Sequence, residues 1–148
     1  MNNYERTAAW LKACGKEPSN ETVSLQIGCH IEEFVEFLAT LDFFKPSDDI
    51  IIRSTMMNLK YLSTNLKTGY GLTRIREHQR EEALDALCDC EVTGNGVAYL
   101  AGFKKTEADQ AVLASNEAKL VDGKPVILAG GKIGKPEGWK APDLSSFI

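Results

Sequence analysis

The chain has 148 residues, of which 43% are hydrophobic and 26% are charged. This length and composition predict a single domain over residues 1–148 with a hydrophobic core of its own. The 17 basic and 21 acidic residues give a net charge of −4, which argues against general nucleic-acid binding.

The sequence shows neither a membrane span nor a signal peptide. No apolar run approaches the roughly 20 residues of a membrane span, and the N-terminus lacks the basic start and apolar core of a signal peptide. We expect a cytoplasmic protein, in the host cytoplasm if the chain is viral. The cysteines form no Cys-x-x-Cys pair, which favours reduced packing thiols over zinc ligands or disulfides. These cysteines are Cys14, Cys29, Cys88 and Cys90.

The first half of the chain predicts three helices. The first, about residues 4–14, is capped by Asn2 or Asn3 and stopped by Gly15. The second covers about residues 21–43, and its apolar residues recur at helical spacing and predict its core face. That stripe is Ile27, Ile31, Phe34, Leu38 and Leu41. A third helix runs over residues 50–67 after a cap at Ser47.

Two more helices follow after Gly69-Tyr70-Gly71. The fourth, about residues 75–103, contains glycines that each cost about 1 kcal/mol relative to alanine, which predicts close helix–helix approach. These glycines are Gly94, Gly96 and Gly102. The fifth helix reaches about residue 120, and Thr106 with Asp109 resembles a capping box at its start.

The pattern changes after Asp122-Gly123. Residues 125–133 predict a small β-hairpin turned at Gly130-Gly131, followed by a tail. We therefore predict an all-α helical bundle, with a helical core over about residues 1–121 and a short C-terminal β-hairpin and tail over residues 122–148.

The second helix carries an acidic group formed by Glu32, Glu33 and Glu36. At about 100° per residue these carboxylates share one face of the helix. Carboxylates that are partly screened from water repel one another and require a cation. Mg²⁺, which binds oxygen ligands, is the natural candidate.

The fourth helix carries a second acidic group, Glu82, Asp85 and Asp89, on a stripe about 60° wide. The same stripe continues through residues of the type found in cores. Those residues are Val92, Gly96, Tyr99 and Phe103. The two groups together predict one or two Mg²⁺ ions held between the helices. The alternative is surface charge whose spacing is incidental.

These acidic groups resemble the motif of the all-α nucleoside triphosphate pyrophosphohydrolases, which include MazG-like, phosphoribosyl-ATP pyrophosphohydrolase-like and dimeric dUTPase proteins. The motif is Glu-Glu-x-x-Glu on one helix and Glu-x-x-Asp on a later one. Residues 32–36 match the first half, and Glu82 with Asp85 matches the second. Some phage-type members have Asp-x-x-x-Asp, which Asp85 and Asp89 match, so the register stays open. The spacing between the halves is longer than usual because a predicted helix is interposed.

Two later segments are similar to phage-type members of that family. Residues 114–120 look like their Ser-Asn-Met-Ser-Lys-Leu segment, although Glu117 and Ala118 depart from it. Residues 134–144 look like their Gly-Lys, Lys-Pro and Pro-Pro-Asp-Leu ending. The resemblance therefore extends over nearly the whole chain.

The resemblance implies a Mg²⁺-dependent enzyme, with Mn²⁺ as a possible substitute, that converts an NTP or dNTP to the monophosphate and pyrophosphate. Carboxylate-held Mg²⁺ neutralises phosphoryl oxygens and activates water. The phage-like tail points weakly to a purine deoxynucleotide such as dGTP or dATP. The expected metal ligands are Glu33, Glu36, Glu82 and Asp85, with Asp89 competing for one place. Glu32 is expected to act as the base or to orient the water.

The resemblance also implies residues that bind substrate. Lys119 and Lys135 would neutralise the phosphates, and Asn116 would hydrogen-bond sugar or phosphate. A solvated surface role for each lysine stays an alternative. Trp139 or Tyr99 is a candidate to stack on a base, although core packing is the favoured role for Tyr99. His30 and His78 are expected to be structural or exposed.

Members of that family form dimers or tetramers, which implies a homo-oligomer here. The apolar residues of the third helix exceed what one core stripe needs, and we expect some of them to meet another subunit, with Lys135 near a neighbour's acidic site. They are Ile50, Ile51, Ile52, Met56 and Met57. The alternative is a monomeric bundle whose tail folds over its own site. The alternative function is that of a non-catalytic nucleotide- or metal-binding helical regulatory protein.

Overall fold

The computed structural model describes residues 1–128 and 133–148. It is 65% helical, and the predicted all-α class with a short C-terminal β-hairpin is confirmed. The elements are α1 (Asn3–Ala13), α2 (Asn20–Leu38), α3 (Pro46–Thr68), α4 (Arg80–Leu100), α5 (Lys105–Glu117), β1 (Leu120–Val121) and β2 (Lys124–Pro125). Within the described ranges no helix is both long enough and apolar enough to cross a membrane.

The chain divides into two compact units. One unit contains Met1–Glu17 and Ile75–Ile148, and therefore α1, α4, α5 and the hairpin; the other is Pro18–Arg74, which contains α2 and α3. The prediction of one domain stays a prediction.

The ends of α1 and α2 follow from capping. Asn2 and Glu5 form a reciprocal capping box at the start of α1, and Gly15 follows its end with φ +70°, so both predicted signals are confirmed. Ser19 caps α2 through the backbone N–H of Thr22. The predicted extension of this helix to residue 43 is wrong. Thr40 donates both its N–H and its hydroxyl to the Phe37 carbonyl, which ends α2 at Leu38.

The contact between α2 and α3 is made by small residues. Gly28 lies so close to α3 that a Cβ there would be 2.9 Å from the Ser63 carbonyl oxygen. The Ser63 hydroxyl in turn donates to the Gly28 carbonyl at 2.7 Å. Val35 and Leu66 are buried at 1% and 6% exposure. The two helices therefore meet almost backbone to backbone around Gly28.

The buried face of α2 differs from the predicted core stripe. Ser24, Gly28 and Val35 are its buried residues, and their face lies about 80° around the helix from Ile27. Phe34, predicted to be in the core, is 52% exposed. Leu41 is 41% exposed and lies beyond the helix end. The expectation failed because it weighted large apolar residues, whereas α3 packs against the small ones.

Backbone geometry and a buried serine fix the ends of α3. The helix begins with Pro46 at its first position, and Ser47 does not cap it as predicted. Gly69, with φ +81°, ends it. Beyond it, Thr73 donates its N–H to the Ser24 hydroxyl at 2.7 Å, and that hydroxyl donates to the Thr73 carbonyl. Ser24 is fully buried, so this pair ties the end of the unit back onto α2.

The fourth helix is shorter and more exposed than predicted. It begins at Arg80 after a short 3-10 turn, and Gly102, with φ +80°, follows its end instead of lying inside it. A Cβ built at Gly94 or Gly96 meets no described atom within 4 Å. No described atom makes the close approach that was predicted at these glycines, and an approach by another subunit stays a prediction.

The start of α5 and the turn of the hairpin also differ from the prediction. Thr106 does not cap α5; Lys104 precedes the helix without a side-chain cap, and Asp109 instead pairs with Lys105. The strands β1 and β2 turn at residues 122–123, earlier than expected. A further antiparallel bridge joins Ile127 to Ile133, as the predicted hairpin requires. Its predicted turn at residues 130–131 lies outside the described residues.

Candidate functional site

In the acidic group on α2, Glu32 forms an ion pair, and Glu33 and Glu36 are exposed. Lys67, on α3, donates from Nζ to Oε1 of Glu32, and the Glu32 side chain is 45% exposed. Glu33 and Glu36 are exposed on the same helix. The Lys67 ion pair therefore orients Glu32, whereas Glu36 faces solvent.

The acidic group on α4 is also exposed. Glu82, Asp85 and Asp89 all lie on the accessible surface of the helix. The residues predicted to share a buried face with them do not do so in the described chain: Val92 is 66% exposed and Tyr99 is 81% exposed. Phe103 is 50% exposed as well. The stripe that was predicted to face inward is thus exposed in the described structure, and metal binding by its carboxylates stays a prediction.

The donor chemistry of the acidic residues suits Mg²⁺, since carboxylate oxygens are its preferred protein ligands. Among the described residues, however, no group of three or more His, Cys, Asp and Glu side chains is arranged to hold a metal ion. The two acidic groups belong to separate units, so each is described alone. The metal therefore stays a prediction from the sequence.

The predicted substrate-binding residues lie together around Trp139. The Lys135 ammonium is 4.6 Å from the centroid of the Trp139 ring, and the Lys119 ammonium is 5.5 Å from it. Lys119 also donates to Oδ1 of Asn116 at 2.8 Å. Two segments that are distant in sequence, the end of α5 and the C-terminal tail, thus bring both lysines to one indole, and Asn116 is hydrogen-bonded to one of them. We call Asn116, Lys119, Lys135 and Trp139, together with Trp10, the tryptophan cluster.

Two hydrogen bonds, each accepted by a backbone carbonyl, join the tail to α5 and to Lys104, the residue before it. The Trp139 indole donates from Nε1 to the Ser115 carbonyl at 2.8 Å. Farther along, the Lys104 N–H donates to the Phe147 carbonyl at 2.8 Å. These two bonds give the tail a fixed course over α5, so Trp139 is an ordered part of its unit.

Trp10, on α1, completes the tryptophan cluster. Lys119 Nζ lies 6.0 Å from its ring centroid. The indole Nε1 atom is buried and has no hydrogen-bond partner among the described residues. Nearby, burial raises the pKa of the Cys14 thiol, while Lys16 and Lys119 lower it. The cluster therefore contains a buried N–H donor beside positive charge.

An ion pair joins α1 to α5 next to this cluster. Arg6 donates from Nε and one terminal nitrogen to the two carboxylate oxygens of Glu117, each at 2.8 Å, and also donates to the Gln110 side chain. This hydrogen bonding lowers the pKa of Glu117. Glu117 is one of the two positions that depart from the resembled segment, and here it anchors α1.

Sequence reasoning missed Trp10 and Arg6 as contributors to this region. Arg6 pairs with a residue 111 positions away, a distance over which no local periodicity carries information. The only signal was composition, since Trp10 and Trp139 are the two tryptophans of the chain. Among the remaining predictions, His30 and His78 are exposed as expected. Cys14 is buried as a packing thiol would be, whereas Cys88 and Cys90 are exposed.

Comparisons of the chain with protein-family models, with curated proteins and with solved structures find no match.

Proposed function

We propose that this protein is a Mg²⁺-dependent nucleoside triphosphate pyrophosphohydrolase, which consumes one water and converts an NTP or dNTP to the monophosphate and pyrophosphate. The proposal begins from the acidic motif at residues 32–36 and at Glu82 with Asp85. When bound, Mg²⁺ neutralises phosphoryl oxygens and makes water more nucleophilic. We place the reaction in the cytoplasm, and a purine deoxynucleotide is the first substrate to test.

One observation carries the proposal. Asn116, Lys119 and Lys135 were predicted from the resemblance to bind phosphate or sugar, and their side chains lie around one indole. Two ammonium groups and an amide suit the oxygens of a phosphate chain.

We propose two different roles for the acidic residues. Glu33, Glu36, Glu82 and Asp85 would be metal ligands, with Asp89 as the alternative in the second half of the motif. Glu32, restrained by Lys67, would orient the attacking water. A positioned water-orienting group needs such a second contact, because catalysis depends on its direction.

The second candidate is a non-catalytic helical protein that binds a nucleotide or a metal and acts as a regulatory subunit. It is favoured because the described residues bring Lys119 and Lys135 to one ring, whereas they bring no three acidic side chains into a group that could hold a metal. The two candidates share a binding step and differ in turnover.

The deciding experiment incubates the full chain with Mg²⁺ and each of the eight common NTPs and dNTPs, and separates the products by anion-exchange chromatography. We expect monophosphate and intact pyrophosphate in equal amounts from at least one nucleotide. Binding without turnover would support the regulatory protein. Release of orthophosphate as the first product, with contaminating pyrophosphatase excluded, would contradict the proposed reaction.

We further propose that the protein is a homo-oligomer, a dimer or a tetramer. Large apolar residues are exposed on α3 and α4: Ile50 is 69%, Met57 is 67% and Leu100 is 85% exposed. An open apolar groove of about 430 Å³ also lies against α4, lined by Ile75, Leu84, Leu87, Arg80 and Glu81. Exposed large apolar side chains are common at interaction sites, which supports the proposal. A monomer with full specific activity in light scattering would rule the oligomer out.

A further inference from the structure

Lys67 reaches the acidic group of α2 along a path that depends on Gly28. A Cβ built at Gly28 would lie 2.8 Å from Cγ of Lys67, so the aliphatic part of the lysine crosses α2 where that helix has no side chain. The ammonium group then donates to Oε1 of Glu32, which lies one helical turn beyond Gly28. The close contact of the two helices therefore directs this ammonium group to Glu32.

This ion pair differs from an ordinary surface pair. Exposed pairs contribute little because two long side chains must be ordered to form them. The Lys67 side chain is only 26% exposed, and its aliphatic part is already ordered by the contact with Gly28. Less entropy is therefore lost when the pair forms, and the pair holds Glu32 in one direction.

That direction is toward α3. Around the helix from the buried Val35, Glu32 lies at about 60°, Glu36 at about 100° and Glu33 at about 160°. Glu32 is thus the carboxylate nearest the contact between α2 and α3, where Lys67 binds it. Glu33 and Glu36 are exposed and lie farther around the helix from α3.

A divalent cation requires carboxylate oxygens that converge on one point. The Glu32 oxygen that accepts from Lys67 lies beside a positive charge, and that charge repels a second cation. Among the described residues, no group of three or more acidic, His or Cys side chains is arranged to hold a metal ion. On α2, the pairing of Glu32 with Lys67 is a physical reason for this.

We propose that Lys67 is a positioning residue that keeps Glu32 from binding a divalent cation, so that α2 offers only Glu33 and Glu36 as ligands. Lys67 thereby lowers the affinity of this helix for the metal. Only the use of the metal in catalysis rests on the proposed function. There, Lys67 would separate the carboxylates that hold the metal from the one that orients water.

The test is a titration of the full chain with Mn²⁺ in metal-free buffer, measured by isothermal calorimetry. Lys67→Met keeps an unbranched side chain against Gly28 and removes the ammonium group. Glu32 can then turn toward Glu36, and an added ligand charge strengthens cation binding. We expect Mn²⁺ to bind about tenfold more tightly, comparable to the effect of other residues that support metal ligands. Lys67→Arg retains the ion pair and should bind Mn²⁺ as wild type does.

Two further variants identify the cause of the change. Lys60→Met removes the same charge from an exposed position of α3 and should change the affinity for Mn²⁺ less than about twofold. Glu32→Gln added to Lys67→Met should remove the gain, because Glu32 is the carboxylate that Lys67→Met releases. Urea denaturation followed by circular dichroism verifies that each variant is folded.

Several results would overturn the proposal. One is an affinity for Mn²⁺ that Lys67→Met leaves unchanged, including the case in which neither wild type nor this variant binds the ion. Another is an equal gain in Lys60→Met, which would reveal a general effect of charge. Tight binding that persists in the double variant would show that Glu32 is not the added ligand.

The outcome is separable from that of the proposed function. In an active enzyme, Lys67→Met should raise the affinity for Mn²⁺ and lower kcat, because Glu32 loses its orientation. A purely structural role would not change these two quantities in opposite directions. The expected gain in affinity without turnover of any nucleotide would support the role of Lys67 and reject the enzyme. Turnover in wild type, with kcat and metal affinity unchanged in Lys67→Met, would do the reverse.

Discussion

The contact between α2 and α3 and the contact between α1 and α5 are built on opposite principles. In the first, Gly28 and Ser63 bring two backbones together, and a carbonyl accepts directly from the Ser63 hydroxyl. In the second, the long side chains of Arg6 and Glu117 bridge the helices through two charge-assisted hydrogen bonds. One contact depends on size and the other on charge.

This difference separates two kinds of sensitivity. Close backbone approach leaves no room for an added methyl group, whereas it is indifferent to pH and salt. An ion pair between partly exposed side chains tolerates changes of size nearby, but it weakens with salt and with protonation of its carboxylate. The tryptophan cluster adjoins the second kind of contact, because Glu117 follows Asn116 in the chain.

The largest expected effect is on activity. Glu36 and Asp85 are exposed and take no part in either packing contact. Glu36→Gln or Asp85→Asn should therefore lower turnover by more than about a hundredfold, while the circular dichroism spectrum stays unchanged. Substituting a residue that only supports a metal ligand already costs up to about a hundredfold, and these two residues are proposed to bind the metal directly. Binding of Mg²⁺ or Mn²⁺ should weaken as well. Full activity in both variants would remove these carboxylates from the site.

A second prediction tests the contact that depends on size. Gly28→Ala places a Cβ 2.9 Å from the Ser63 carbonyl oxygen, so α2 and α3 must move apart. We expect a loss of roughly 1–3 kcal/mol in the free energy of unfolding, as for other overpacked positions. Urea denaturation followed by circular dichroism measures it.

Gly94→Ala is the matched control, because a Cβ there meets no described atom. Alanine is the better helix former, so this variant should gain roughly 0.5–1 kcal/mol. A Gly28→Ala protein as stable as wild type would disprove the close contact. A destabilised Gly94→Ala protein would place a neighbouring subunit against α4.

The contrast between the two helix contacts also explains which structural features could be predicted from the sequence. Helix starts and stops depend on neighbouring residues, so Asn2 and Gly15 predicted the ends of α1 correctly. The α2 packing face was misassigned because periodicity is detected in large apolar residues. Gly28 and Ser24 give no such signal, although they are two of the three residues that α2 buries.

Contacts between residues that are distant in the sequence are the second feature that could not be predicted. The resemblance supplied Asn116, Lys119 and Lys135 as a set, but their meeting around Trp139 depends on the course of the tail. The Arg6 pair with Glu117 was not predicted, since nothing local connects residues at opposite ends of a chain. The exposure of the acidic face of α4 was not predicted for a related reason. An apolar stripe in the sequence does not show whether another part of the protein covers it.

The smallest expected effect is a pH dependence of the α1–α5 contact. Arg6 holds the pKa of Glu117 below its usual value of 4.5, so the folded carboxyl gives up its proton more readily than the unfolded one. The pair therefore stabilises the fold fully above the unfolded pKa, and this contribution is lost as pH falls through the folded pKa. Wild type and Glu117→Gln should differ in Tm at neutral pH and converge on acidification below about pH 4. Glu91→Gln, which removes an exposed carboxylate from α4, should show no such convergence. A difference between wild type and Glu117→Gln that stays constant with pH and salt would mean that the contact is held by packing, and the contrast between the two helix pairs would fail.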